Sequence, residues 1–143
     1  MKRCLVDVNV LLALLVARHQ QHDTALAWFD GLAPGEAALC RFVQLGLIRL
    51  LGNRTVMGDD AIPAAAAWEQ IQTLLEDERI DFIQEPSRID AILPRLFRYH
   101  VPTSKLIADA YLAALAMASS LRMVTLDRGM SQYQGLEVEL LPV

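Results

Sequence analysis

Five short β-prone runs, each five residues long, recur along a chain of 143 residues: Arg3–Asp7, Glu36–Cys40, Ile80–Gln84, Arg122–Leu126 and Glu137–Leu141. Stretches with helical periodicity separate the first four of them. Strands of this length cannot reach one another through tight hairpins when helices lie between them. They pair instead through βαβ crossovers, which make neighbouring strands parallel. The pattern therefore predicts one α/β domain over residues 1–143, with a mostly parallel central sheet of about five short strands flanked by helices.

The helices follow from the same reading. Asn9 is a candidate cap for a helix over Val10–Val16. His22–Leu32 carries an apolar stripe of Ala25, Leu26, Trp28, Phe29 and Leu32. In Arg41–Leu51, Phe42, Leu45, Ile48 and Leu51 repeat every third residue. Asn53–Ile62 reads as a loop, and Pro63 opens a helix over Ala64–Leu75. Pro94 is expected to kink or break a helix over Arg88–Tyr99, and Val101-Pro102 to form a loop. An Ala-rich helix starts between Ser104 and Asp109 and runs to Ser120, and Gly129–Gln134 reads as a turn or short helix.

Composition narrows the class. Hydrophobic residues make up 54% of the chain, which excludes a disordered polymer. No apolar run approaches the roughly 18 residues of a membrane span. Lys2-Arg3 ahead of Val10–Ala17 imitates a secretory leader, but Asp7 and Asn9 interrupt it and no A-x-A site follows Ala17. Cys4 and Cys40 are too few for a disulfide framework and are expected as buried thiols. A cytoplasmic location is expected. The net charge of −4 is uneven: residues 59–90 carry nine acids against Arg79 and Arg88. An anionic ligand would meet the chain elsewhere, near Arg41, Arg54, Arg95, Arg98, Lys105 and Arg128.

Ligands of open α/β sheets collect beyond the carboxyl ends of the strands. Two predicted strands end in an acid there, Asp7 after RCLV and Asp127 after RMVTL. Their ionised forms repel unless a cation compensates. Asp109, early in ADAYLAALAMAS, is a third candidate; it serves either as a partner of the helix dipole or as a ligand aimed at the same rim. Converging carboxylates suit a hard divalent ion such as Mg²⁺, which takes oxygen ligands and lets an acidic site hold an anionic backbone. His19, His22 and Asp23 lack a third nitrogen or sulfur ligand for zinc. His100 is a lone titrating group, and Trp28 and Trp68 read as core or interface residues.

LVDVNVLLALL at the N-terminus, DAYLAALA around Asp109 and VTLDRGM around Asp127 together resemble the PIN domain, in particular VapC-type toxins of bacterial toxin–antitoxin pairs. CRFVQLGLIRLL (Cys40–Leu51) is similar to that family's helix after the second strand. The resemblance implies a Mg²⁺- or Mn²⁺-dependent endoribonuclease that hydrolyses RNA, is inhibited by a cognate antitoxin and forms a homodimer. By the same resemblance Asp7, Asp109 and Asp127 are catalytic metal ligands, Thr125 offers its hydroxyl to the pocket, and Asn9 braces the loop after the first strand. Arg41, Lys105 and Arg128 are candidate substrate contacts. Gln44 stands where the family usually places a further acid, which implies weaker metal binding. A non-cleaving RNA- or antitoxin-binding module is the alternative this substitution opens. A haloacid-dehalogenase-type phosphohydrolase also begins on a strand ending in Asp, but wants a second Asp where this chain has Asn9.

Overall fold

The computed structural model describes residues 2–98 and 104–143. Five parallel strands, β1 (Cys4–Val6), β2 (Ala37–Cys40), β3 (Ile80–Ile83), β4 (Arg122–Thr125) and β5 (Val138–Leu140), form one sheet in the order β3-β2-β1-β4-β5. The helices are α1 (Val8–Leu15), α2 (His22–Asp30), α3 (Arg41–Leu51), α4 (Arg54–Met57), α5 (Ala64–Leu75), α6 (Ile89–Arg98) and α7 (Ser104–Ala118). The expected parallel α/β architecture is therefore present, with β1 at its centre.

The central strands are apolar on both faces, as a sheet covered on both sides requires. Every residue of β1 and β2 is buried, and so are Met123 and Val124 of β4. In α7, Ala110, Ala113, Ala114 and Ala116 are buried. Their small side chains let the helix backbone lie close to the sheet. Cys4 and Cys40 are free and buried, and burial pushes the Cys4 thiol up to about 12. No helix among the described residues is long and apolar enough to cross a membrane.

Three local expectations differ from the structure. Asp7, not Asn9, caps α1: its backbone is extended (ψ 154°) and its side chain accepts from the Val8 amide. The helix thus starts two residues earlier than Val10 and draws Asn9 into its first turn. Residues 53–62 are more ordered than a loop. Asn53 Oδ1 accepts from the amides of Thr55 and Val56, and the short helix buries Met57. Pro94 does not end α6, which continues through it to Arg98. The buried stripe of Ile89, Ile92 and Leu96 holds the helix across the missing N–H. The expected helix end at Tyr99, His100 and the Val101-Pro102 loop lie outside the described residues.

The two sheet edges differ in charge. At the amino edge, Arg122 pairs with Glu36 at 3.2 Å and with Glu139 at 3.0 Å, and also donates to the Lys2 carbonyl. Lys2 pairs with Glu137 and Arg3 with Asp81. The carboxyl edge has a different arrangement.

Candidate metal centre

Parallel strands put all their carboxyl ends on one rim, and β1 and β4 are neighbours there. Asp7 follows β1 directly, and Asp127 lies two residues beyond β4. Asp109 reaches the same region from α7, more than a turn into that helix. The spatial relation shows in the electrostatics, since both Asp109 and Asp127 act on the Asp7 carboxylate.

Asp7 is only 6% exposed. Its Oδ1 accepts from the Val8 amide at 2.8 Å, and its Oδ2 accepts from Thr125 Oγ1 at 2.7 Å. Asn9 Nδ2 donates to Thr125 Oγ1 at 3.3 Å and approaches Asp7 Oδ2 at 3.5 Å. Asn9 Oδ1 in turn accepts from the Leu126 amide at 3.2 Å, tying α1 to the end of β4. Thr125, fully buried, also accepts from the Asp127 amide at 3.0 Å. One hydroxyl and one amide side chain thus fix the residues that follow both strands.

Burial holds the Asp7 carboxyl above its ordinary value, and the charges of Asp109 and Asp127 push it further; the bonds from Thr125 and Val8 oppose this. Among the described residues no cation pairs with Asp7. Asp127 is in the opposite state. Lys105, with the Gly129 amide donating to Oδ1 at 2.8 Å, holds its carboxyl below the ordinary value.

Lys105 is the main surprise. Its Nζ lies 2.7 Å from Asp127 Oδ2 and 3.1 Å from Asp109 Oδ2, bridging the two carboxylates. Among the described residues no three acidic, histidine or cysteine side chains stand together so as to enclose a metal ion. The donor chemistry nevertheless fits a hard cation. The donors are all oxygen, one of the carboxylates has no counter-charge, and the other two already hold a positive group between them.

Gln44 is buried, and its Oε1 accepts from Arg41 Nη1. Arg41 stacks over Phe82 at 4.9 Å and Trp68 at 5.7 Å. The carbonyl oxygen of Gln44 is therefore engaged by arginine. Arg128 is exposed on the 3-10 turn Arg128–Gln132 that follows Asp127. His19 and His22 do not share a helical face: His19 lies in the turn before α2, and His22 Nδ1 meets the Ala13 carbonyl at 2.8 Å. Trp68 is 38% exposed, at the surface rather than in the core. Sequence reasoning missed Tyr133. It is 1% exposed, and burial, with Asp109 nearby, pushes its phenol up to about 12. Its position in an irregular segment gave no periodic signal.

Residues 4–136 match the PIN domain family. The chain is also 38% identical over 142 residues to Ribonuclease VapC41 of Mycobacterium tuberculosis, covering 96% of this chain and 97% of that protein. This protein is a VapC-type member of the PIN-domain family. PIN-domain structures superpose on it throughout. The crystal structure of M. tuberculosis VapC20, a sarcin–ricin loop cleaving toxin, aligns with a TM-score of 0.67 at 19% identity, covering 97% of this chain and 99% of that one. A chain of a toxin–antitoxin complex from Klebsiella pneumoniae aligns with a TM-score of 0.64 at 15% identity, covering 93% and 94%. At these identities the VapC20 and Klebsiella alignments show a shared fold. In this PIN domain, Asp7, Asp109 and Asp127 all lie within the matched residues.

Proposed function

We propose that this PIN-domain protein is an endoribonuclease, the toxin of a toxin–antitoxin pair, in which Asp7, Asp109 and Asp127 hold Mg²⁺ or Mn²⁺. The observation that carries this reading is the buried, uncompensated carboxylate of Asp7, fixed by Thr125 and Asn9 on the same rim as two further acids. A fold does not keep such a charge for stability. The 38% identity to a protein named a ribonuclease supports the choice of RNA.

The bound divalent ion would supply positive charge to a phosphodiester in the transition state and acidify an attacking water. The protein's own groups do the rest. Thr125 and the Val8 amide orient Asp7, and the Gly129 amide orients Asp127. Asn9 keeps the ends of β1 and β4 in register. Arg128, exposed beside Asp127, and Arg41, at the start of α3, would meet phosphates of the substrate.

The cognate antitoxin is the second partner, as in the toxin–antitoxin complex that shares this fold. Exposed Phe42, Leu45, Phe97 and Ile107 support self-association into a homodimer on that face, and the protein acts in the cytoplasm. The test is RNA cleavage by purified protein with Mg²⁺ or Mn²⁺. Asp7→Asn abolishes it; equal cutting by that variant defeats the assignment.

A non-cleaving binding module is favoured by one observation, the neutral Gln44 held by Arg41 where an acid would add charge. Calorimetric titration separates the two. A wild type that binds no divalent ion, with Gln44→Glu both binding and cutting, establishes the second reading.

A further inference from the structure

Lys105 takes the same oxygens that an ion in this site would need. Asp127 has one oxygen committed to the Gly129 amide, and the other, Oδ2, faces Lys105 Nζ at 2.7 Å. Asp109 presents Oδ2 to the same ammonium at 3.1 Å. The two carboxylates come from separate elements, α7 and the turn after β4, so the ammonium ties them together across 22 residues of chain in one direction and a single helical turn in the other. An ammonium is a compact point charge with three donors on a flexible stem. It imitates a small cation.

The stem matters as much as the charge. The Lys105 side chain is 69% exposed, whereas that of Asp109 is 15% exposed and that of Asp127 is 32% exposed. The carboxylates are thus the fixed part of the cluster and the lysine the movable part. Swinging the ammonium out sacrifices little packing. It leaves two acids facing one another beside Asp7, and only a cation of higher charge density makes that arrangement favourable.

We infer that Lys105 is a built-in cation of the acid cluster, which competes with the divalent ion for Asp109 and Asp127 and must leave before the ion is fully bound. It is a positioning residue: it holds the two carboxylates close in the metal-free protein and lowers their affinity for metal. The inference rests on the metal-binding reading above and adds a competitor to it.

The chain contains only two lysines, Lys2 and Lys105, which gives a direct probe. Lys2 pairs with Glu137 at the opposite edge of the sheet. In the wild-type full chain, Mg²⁺ titration followed by NMR of the lysine Cε–Nζ groups shifts the Lys105 signal and leaves that of Lys2 in place. Calorimetric titration with Mn²⁺ gives the second measurement. Lys105→Met keeps the stem and removes the charge, and its affinity for Mn²⁺ rises about fivefold to tenfold, a modest gain because the ammonium is solvent-screened. Lys105→Arg stays close to wild type. Mn²⁺ binding of equal or lower affinity in Lys105→Met overturns the competition while leaving the metal site standing. A stationary Lys105 signal while Mg²⁺ binds does the same. Absence of divalent binding in both wild type and Lys105→Met removes the metal reading and this inference with it.

Discussion

Thr125 Oγ1 donates to Asp7 Oδ2 at 2.7 Å, and the same oxygen accepts from the Asp127 amide at 3.0 Å. A single buried hydroxyl therefore sets the positions of two acids that follow neighbouring strands. Replacing it with valine keeps the shape and removes the donor and the acceptor together. Thr125→Val is expected to destabilise the fold by about 1–3 kcal/mol, the usual penalty for buried polar groups left unsatisfied. Metal affinity falls in the same variant, because Asp7 loses its orientation. Denaturant unfolding and Mn²⁺ titration check the two effects; unchanged values for both refute the role given to the hydroxyl.

Asp7 opposes stability in the absence of metal. Its folded value lies above the ordinary 3.8, so the unfolded chain ionises first as the pH rises. The stability associated with this group is complete below 3.8 and is lost as pH rises through the raised folded value. Asp7→Asn removes the penalty. At neutral pH, with chelator present, the variant is expected to be more stable than wild type. The difference vanishes on acidification. Saturating Mn²⁺ reverses the order, since wild type gains about 2.7 kcal/mol at a hundredfold excess over Kd and the variant does not. Thermal unfolding across pH, with and without metal, measures all of this. A variant less stable than wild type at neutral pH contradicts the account.

The Arg41–Gln44 contact limits what a restored acid can do. Glu at position 44 meets a guanidinium already stacked on Phe82 and Trp68, so its charge is largely neutralised within its own helix. Gln44→Glu is expected to tighten Mn²⁺ binding by no more than about threefold. A gain beyond about tenfold means that the carboxylate escapes Arg41 and turns to the metal.

Much of the architecture was readable from residues alone. Short apolar runs such as CLV, AALC and RMVT, separated by helical stretches, point to a parallel sheet, and its rim locates Asp7 and Asp127. The helix caps were harder. Asp7 and Asn9 are both good capping residues two positions apart, and only the extended backbone at Asp7 decides between them. Lys105 was legible as the helical neighbour of Asp109, four residues away. Its contact with Asp127 depends on how α7 meets the end of β4, which no local pattern encodes. The same holds for Tyr133, whose burial is decided by packing on distant elements.

Arg122 shows the purely structural use of charge in this protein. It closes the amino edge between Glu36, which is 8% exposed, and Glu139. Arg122→Met leaves the Glu36 carboxylate buried without its cation, and a loss of about 3 kcal/mol is expected. Because the site lies at the other edge, Mn²⁺ affinity is unaffected where the variant remains folded. Loss of metal binding in the folded variant shows that the two edges are coupled.

The central place of β1 has a consequence for biosynthesis. β1 is made more than a hundred residues before β4, its neighbour on one side, and Asp127 emerges later still. A stalled or prematurely terminated chain presents Asp7 without Thr125 to orient it and lacks one of the three acids altogether. For the ribonuclease proposed above, this order of assembly delays a competent site until the last of its three acids has been made.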